Sequence, residues 1–351
     1  MVSLTSKQQK ILTTFLKKGS LSSSQVYLEL KVMKEEISLV TIKRTLSEMA
    51  KKRVLVVTGS GRSTNYSISA LGRIFVEVDA RLYCSVEPDQ RYGLKNYNFD
   101  LLPALSSDMF SAEELKILDS ATTIYKQRIS DLPEDIQKKE LERLIIELSW
   151  KSSRIEGNTY TLLDTEKLIL ENKEAPGHDK KEAQMILNHK DAFNFVRANP
   201  AQFITLTRKN LEELHSIVVR NLSVDLGLRK RVVGIVGSIF RPLDNVHQVT
   251  EAVEILGQTI SNTSSPYAKA LIAILGISYI QPFNDGNKRT GRLMANALLL
   301  SHGLAPLSYR SVDESEYREA VLVFYELNSI LPFKKIFIGQ YDFAAQNYAV
   351  E

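Results

Sequence analysis

The segment 281–292 gathers side chains that could bind phosphate and a divalent cation, and it reads Gln-Pro-Phe-Asn-Asp-Gly-Asn-Lys-Arg-Thr-Gly-Arg. Gly286 permits a tight turn, and the helix that should follow begins with N–H groups that have no intrahelical acceptor. Such a helix start attracts anions. Asp285, just before the turn, adds a hard oxygen ligand, which suits Mg²⁺ carried on a polyphosphate.

Three cations strengthen this interpretation of the segment. Lys288, Arg289 and Arg292 all lie in the predicted helix start. The two arginines are three residues apart and share one helix face, so they would hold different phosphates. A solvated basic helix start would explain the charges alone, but it would not explain the aromatic residue, the acid and the Gly-Asn pair beside them.

Apolar helices must hold this turn in place. Leu271, Ile274, Leu275 and Tyr279 recur at helical spacing before it, and Leu293, Met294, Ala297 and Leu298 recur after it. Beyond residue 108 the pattern is almost entirely helical, and it predicts ten helices. They cover about 111–127, 133–150, 163–172, 182–198, 208–220, 247–260, 266–281, 287–302, 314–327 and 333–346. The exception is a short β-like run, Val232-Val233-Gly234-Ile235-Val236-Gly237.

The N-terminal part of the chain has a different character. Residues 1–70 hold twelve Lys/Arg and four acids, a net charge of +8, against +4 for the whole chain. A basic end on an acidic body indicates a polyanionic partner for that end. Three helix patterns followed by a strand, a Gly-rich turn at 59–64 and a second strand resemble a winged helix-turn-helix domain. We assign this domain to 1–78 and predict that it binds DNA, the alternative being a domain that makes only protein contacts.

Four residues are the candidate DNA contacts. Thr41, Lys43 and Arg44 lie on the polar face of the third helix, where they could reach phosphates and base edges. Arg62 lies at the tip of the turn between the strands. Winged helices often bind paired half-sites, which would call for a homodimer. Residues 79–108, broken by Pro88, Gly93 and Pro103, are expected to be a connector to a domain at 109–351.

The phosphate-binding segment resembles the signature of the Fic (fido) family, H-x-F-x-[DE]-G-N-G-R-x-x-R. Members of this family transfer a nucleotide monophosphate, usually AMP from ATP, to a protein hydroxyl. The resemblance implies that Asp285 is the Mg²⁺ ligand and that Gly286 and Asn287 form the phosphate nest. It also implies that Arg289 and Arg292 bind the β- and γ-phosphates of ATP.

Two further segments extend the resemblance over about 110–345. Residues 152–158, Ser-Ser-Arg-Ile-Glu-Gly-Asn, resemble the family's inhibitory motif, [ST]-x-x-x-E-[GN], with Ser152, Glu156 and Gly157 at its defined positions. The resemblance implies that Glu156 pairs with Arg292 and keeps ATP from placing its γ-phosphate productively. The β-like run, with Val233, Gly234, Ile235, Val236 and Gly237, resembles the hairpin flap that aligns the target side chain by β-augmentation.

The sequence departs from the signature at two positions. Gln281 stands where the family has its general-base histidine, and a carboxamide can orient a hydroxyl but cannot accept a proton near pH 7. Lys288 stands where the signature has Gly, as in the Doc branch, whose members can transfer the γ-phosphate instead. Of the five histidines, only His247 is expected near the nucleotide. Tyr317 falls where relatives place an aromatic near the base, although packing would explain it equally.

Two functions remain open. The first is an autoinhibited Fic-type, adenylyltransferase-like enzyme that uses MgATP and modifies a hydroxyl of another protein or of this chain itself. The second is a DNA-binding regulator whose Fic domain senses nucleotide without catalysis. The expected fold is mainly α: a helical Fic-type core with a short β-hairpin flap, plus the N-terminal winged helix.

Composition excludes other classes of protein. The hydrophobic and charged fractions, 44% and 25%, are ordinary for a globular chain. The longest apolar run, near 270–280, is about half of the roughly 18–20 residues that a membrane span requires. Cys84 is the single cysteine, so neither an internal disulfide nor a thiolate metal cluster can form. We therefore expect a soluble, cytoplasmic protein without a membrane segment.

Overall fold

The computed structural model describes residues 3–105 and 108–350 of the chain. These residues divide into two compact units. The first unit contains Met1–Asp108, Gly234–Arg241 and Glu319–Phe333, and the second contains Met109–Val233, Pro242–Arg318 and Lys334–Glu351. Among the described residues, no helix is both long enough and apolar enough to cross a membrane.

The first unit begins with three helices and a pair of strands. They are α1 (Ser6–Lys18), α2 (Ser23–Val32), α3 (Leu39–Lys51), β1 (Leu55–Thr58) and β2 (Asn65–Ile68). Thr5, Ser22 and Ser38 cap the three helices, each accepting a hydrogen bond from the backbone N–H three residues on. The strands are antiparallel, with Leu55 opposite Ile68. Each of these elements is observed where the sequence predicts it.

Three shorter helices follow in the same unit: α4 (Ala70–Ile74), α5 (Ala80–Cys84) and α6 (Leu101–Ala104). The segment expected to be a connector therefore contains helical turns and packs in the same unit as the N-terminal helices. Its Tyr83 joins one buried cluster with Phe15 of α1, Leu46 of α3 and Val323 of the later helix α15. The domain boundaries drawn from the sequence remain predictions.

The second unit is built of helices joined by loops. Its helices are α7 (Ala112–Asp131), α8 (Glu134–Ile155), α9 (Leu162–Glu171), α10 (Lys180–Ala198), α11 (Arg208–Val218), α12 (Val246–Asn262), α13 (Pro266–Ile280), α14 (Asn287–Leu300) and α16 (Leu331–Asn347). Helix α15 (Glu314–Leu327) begins in this unit and ends in the first. All ten helices predicted beyond residue 108 are present, with bounds shifted by a few residues.

Helices α13 and α14 form a buried pair around the predicted site. Almost every residue of α13 is buried, because the helix carries small and aliphatic side chains of its own on all of its faces. Gly276 lets α12 approach closely, since a Cβ there would lie 2.4 Å from Leu256 Cδ1. The turn between α13 and α14 is thus carried by two helices that have little freedom to move.

The structure corrects the prediction of a β-hairpin in the flap. Within the described residues, β1 and β2 are the strands, and 232–240 forms none. The segment contains one tight turn, in which Ser238 N–H donates to the Ile235 carbonyl at 3.2 Å and Gly237 has φ of +76°. Gly234 and Gly237 weaken strand pairing because glycine has no side chain to pack and loses more entropy on ordering.

Candidate active site

Backbone geometry fixes the turn between α13 and α14. Gln281 ends α13 in the left-handed region, with φ of +51°, and Gly286 precedes α14 with φ of +80°. A Cβ at Gly286 would lie 2.9 Å from Val219 Cγ1, so glycine is needed for both conformation and space. Gly286 provides no side chain to cap the helix, so the N-terminus of α14 has no side-chain cap, as the predicted anion site requires.

Asn287 braces the turn from inside. Its Oδ1 accepts from Phe283 N–H, and its Nδ2 donates to the Phe283 carbonyl, each at 2.8 Å. The same Nδ2 donates to Gln281 Oε1 at 2.9 Å, while Gln281 Nε2 donates to the Ser278 carbonyl at 2.7 Å. The Gln281 carboxamide is therefore held in a defined orientation at the start of the turn.

His215, on α11, supports the turn from below, and sequence reasoning missed it. Its ring stacks on Phe283, with centroids 3.6 Å apart, and its Nε2 lies 3.0 Å from the Asp285 carbonyl. Burial lowers the pKa of His215 to about 4, so the ring is neutral at pH 7 and Nε2 donates to that carbonyl. No sequence spacing links α11 to the turn. The expected histidine, His247, is instead exposed at the start of α12.

The predicted inhibitory motif and the last signature arginine come together. Arg292 Nη2 lies 2.9 Å from Glu156 Oε1, and the same arginine donates to Ser152 Oγ and to the Ser152 carbonyl, each at 2.8 Å. Tyr317 is buried, its hydroxyl 3.3 Å from Arg292 Nη1. Helix α8 ends at Ile155, and Gly157, with φ of +98°, turns the chain away directly afterwards.

A second cation binds the same carboxylate. Lys288 Nζ lies 3.4 Å from Glu156 Oε2. Burial alone would raise the pKa of Glu156, but Arg292, Lys288 and Arg289 lower it below its ordinary value. The carboxylate is thus ionised at neutral pH. Its charge would disappear only when the pH falls through that lowered pKa, below the ordinary range of a glutamate.

Arg289 and Asp285 form the remaining part of the predicted phosphate site. Arg289 Nη2 lies 3.1 Å from Asp285 Oδ2, and Asp285 is largely exposed while Arg289 is buried. Arg289 Nη1 is buried and has no hydrogen-bond partner among the described residues. A buried guanidinium nitrogen without an acceptor is costly, and a bound anion would satisfy it.

A magnesium ion fits this donor set only as part of a nucleotide complex. Among the described residues, no group of three or more His, Cys, Asp or Glu side chains could hold a metal. Asp285 offers one carboxylate, and Mg²⁺ is commonly bound by one or two carboxylates together with phosphate oxygens and water.

Arg229 anchors the loop before the predicted flap to the turn. Its backbone N–H donates to the Pro282 carbonyl at 2.9 Å, and its buried side chain donates from Nε to the Gln281 carbonyl at 2.6 Å. The flap residues Val233, Gly234, Ile235, Val236 and Gly237 follow, and Val236 is 99% exposed. The Gly-Leu-Arg sequence at 227–229 was the available signal for Arg229.

The predicted DNA contacts lie in the first unit. Lys43 and Arg44 are exposed on α3, and Thr41 is half-buried beside the Ser38 cap. Arg44 is paired in part with Glu48 of the same helix, at 3.1 Å. Arg62 is exposed in the turn between β1 and β2. The structure therefore leaves these cations accessible to a polyanion.

Comparison with known proteins agrees with this geometry. Residues 205–299 match the model of the Fic/DOC family, and these residues form a Fic domain. The proteins named Protein adenylyltransferase Fic from Drosophila melanogaster and Drosophila sechellia are 30% identical over 171 residues, which is 48% of this chain. The chain spans about a third of the length of those relatives, 35%.

Solved structures share the fold. Fic-1 (residues 134–508) from C. elegans has a TM-score of 0.58 at 21% identity, over 68% of this chain and 72% of that one. A Fic domain containing signaling protein from Bacteroides thetaiotaomicron has a TM-score of 0.54 at 20% identity, over 67% of this chain and 98% of that one. The helical Fic core expected from the sequence is thus confirmed.

Proposed function

We propose that this chain is an autoinhibited Fic-type adenylyltransferase that binds MgATP and transfers AMP to a protein hydroxyl, on a partner or on itself. The observation that carries the proposal is the 2.9 Å contact between Glu156 and Arg292. Arg292 is the residue that the family signature assigns to a terminal phosphate. A carboxylate and a phosphate cannot both occupy the same face of one guanidinium, so Glu156 would have to leave before ATP could bind productively.

The side chains of the turn define the chemistry. Arg289, with one buried nitrogen lacking an acceptor, and the start of α14 would hold phosphate oxygens. Asp285 would hold Mg²⁺, which offsets negative charge on the phosphates when bound. Positioning and charge stabilisation are the main contributions to phosphoryl transfer, and the turn retains the residues for both.

Gln281 limits the rate. Its amide cannot take a proton from an attacking hydroxyl at neutral pH, and loss of a general base costs about 10²–10⁴-fold in rate. The left-handed backbone at Gln281 and the hydrogen bonds to Ser278 and Asn287 hold the amide in place. A histidine placed there would therefore begin from an ordered backbone position.

Labelled nucleotide tests the proposal. Parent, Glu156→Gly, Gln281→His and the double variant are incubated with α-labelled ATP and Mg²⁺, and label in protein is counted. We expect the double variant to exceed Glu156→Gly by about 10²–10⁴-fold, the factor for restoring a general base. Binding of ATP by the double variant without any label on itself or on lysate proteins would contradict the transferase proposal. A parallel reaction with γ-labelled ATP distinguishes phosphate transfer.

A second function is favoured by the first unit. Three capped helices, an antiparallel strand pair and exposed Lys43, Arg44 and Arg62 support a winged-helix regulator that binds DNA and senses nucleotide through the Fic domain. Removing one cation that binds a DNA phosphate should reduce the slope of log affinity against log salt by about 1. We expect Lys43→Ala and Arg62→Ala to do so, with Lys139→Ala, an exposed lysine of α8, as control. Equal and weak binding of all DNA sequences at moderate salt would defeat this function.

A further inference from the structure

The segment Gly234–Arg241, which contains the predicted flap residues 234–237 and is called the flap from here on, is bound on one side by a buried carboxylate. Glu326, on α15, is fully buried, and its Oε1 accepts from Ser238 Oγ at 2.7 Å and from Ile239 N–H at 3.2 Å. Its Oε2 accepts from the Tyr83 hydroxyl at 2.7 Å. All of these residues belong to the first unit.

A buried guanidinium completes the network. Arg91 Nη1 donates to the Gly237 carbonyl at 2.9 Å and lies 3.4 Å from Glu326 Oε1. Its Nε donates to the Val86 carbonyl at 2.7 Å, and its Nη2 to the Cys84 carbonyl at 3.2 Å. Every nitrogen of this guanidinium therefore has an acceptor, which fixes its orientation.

The flap is held at its far end as well. Arg241 N–H donates to the Lys95 carbonyl at 2.8 Å, and Phe240 stacks on Tyr325 with centroids 5.8 Å apart. The segment that contains Lys95 is held as well, because the neighbouring Leu94 N–H donates to the Glu326 carbonyl at 2.7 Å. Consecutive flap residues from 237 to 241 thus make specific contacts, and Val236, at the turn before them, points into solvent.

These contacts give a conformational role to two residues that lie far from the flap in sequence. A buried carboxylate is tolerated only when its lone pairs are satisfied, and here two of its donors are flap atoms. Apart from an isolated parallel bridge between Arg241 and Asn96, the flap has no strand hydrogen bonds, so Glu326 and Arg91 are the main source of its shape.

We propose that Glu326 and Arg91 are positioning residues for target docking, which hold the flap in the one shape that presents its exposed edge around Val236. This inference rests on the proposed transferase function. Neither residue is assigned a contact with nucleotide or with the reacting hydroxyl. They act through the Gly237 carbonyl, the Ser238 hydroxyl and the Ile239 N–H.

Amide hydrogen exchange of the full chain tests the shape directly. Ser238→Ala and Arg91→Gln should each speed exchange across 237–241 about tenfold, the factor that matches loss of one hydrogen bond to a charged group. Exchange across 287–297 of α14 should stay unchanged. Arg81→Gln, an exposed residue of α5, and Ser85→Ala, the exposed residue directly after α5, serve as matched controls. Ser238→Thr should restore protection because it keeps the hydroxyl.

Transfer is then measured in the Glu156→Gly/Gln281→His background with α-labelled ATP and the chain itself as acceptor. We expect Ser238→Ala and Arg91→Gln to lower the maximal labelling rate about tenfold while the apparent KM for ATP is unchanged. Unchanged exchange at 237–241, or faster exchange with unchanged labelling, would overturn the positioning role. Failure of the background variant to bind MgATP by calorimetry would instead defeat the proposed function on which the role depends.

Discussion

Two Arg–Glu pairs in this molecule, the Glu156 pair and the Glu326 pair, differ in exposure and in the partners of the carboxylate. In the Arg292–Glu156 pair, 2.9 Å apart, the arginine side chain is 0% exposed and the glutamate 19%. In the Arg91–Glu326 pair, 3.4 Å apart, the values are 6% and 0%. Glu326 is bound by neutral donors as well as by its arginine, whereas Glu156 is bound by two cations, Arg292 and Lys288.

Under the proposals above, a ligand phosphate would displace the carboxylate of the Glu156 pair, whereas the Glu326 pair would keep the flap in one conformation. Under the proposed function, Glu156 would be exchanged for another anion, because both of its cations would also bind phosphate. Glu326 is not open to such exchange, because its side chain is 0% exposed and no external anion can reach its donors. Partial exposure and charged partners therefore mark the pair that should open.

The largest effect on stability should follow removal of the Glu326 carboxylate from the Glu326 pair. Glu326→Ala leaves the buried Arg91 charge without its carboxylate, and we expect the free energy of unfolding to fall by about 3–5 kcal/mol. Urea unfolding followed by circular dichroism measures this change. Glu316→Ala, at an exposed position of the same helix, is the control and should stay within about 0.5 kcal/mol. Equal stability of the two variants would remove the contrast between the pairs.

The contacts of His215 with the turn before α14 should make the protein less stable in mild acid. Because the pKa of His215 is lowered to about 4, the unfolded chain binds a proton at pH 5 that the folded chain does not. Stability therefore falls as the pH drops below about 6.5, and the His215 contribution should reach about 2 kcal/mol at pH 5.

His215→Gln should reduce this loss between pH 7 and pH 5, as measured by urea unfolding at each pH. His247→Gln, an exposed histidine, should leave the loss unchanged. The Glu156 pair itself should not open in this range, because the pKa of that carboxyl is lowered. If parent and His215→Gln lose the same stability, His215 does not brace the turn as a neutral ring.

The smallest effect concerns Lys288, the second cation that contacts Glu156. Lys288 and Glu156 are 31% and 19% exposed, and a pair of this kind is worth up to about 1 kcal/mol. A double-mutant cycle with Lys288→Met and Glu156→Gln should give a coupling energy of about 0.5–1 kcal/mol. The same cycle with Lys139→Met should give none. Zero coupling would show that Lys288 does not stabilise the Glu156 carboxylate.

Much of the fold follows from local sequence signals. Ser22 and Ser38 are residue types that favour helix caps, Gly19 is a residue type that favours a helix end, and apolar spacing locates the helices around the turn. These features depend on neighbours within a few residues, so composition and period reveal them. The juxtaposition of Glu156 and Arg292 came from resemblance to the Fic signature, because spacing along one helix cannot identify a distant partner.

The remaining features depend on contacts across the chain. His215 and Phe283 stack although they lie on separate elements, and Arg91 meets Glu326 across 235 residues. The sequence predicts a hairpin in the flap because Val and Ile favour strands, but strand formation needs a partner edge and the glycines weaken it. Hydrogen bonds with the side chains of Arg91 and Glu326 hold residues 237–239 instead, and no sequence pattern predicts these contacts.

Isothermal calorimetry of MgATP binding tests the central claim most directly. Glu156→Gly should bind MgATP at least about tenfold more tightly than the parent, within the usual range for coupling between competing contacts. Glu174→Gly, at an exposed loop position, should match the parent. Equal affinity of parent and Glu156→Gly, or no heat of binding from either, would contradict the claim that Glu156 competes with a phosphate for Arg292.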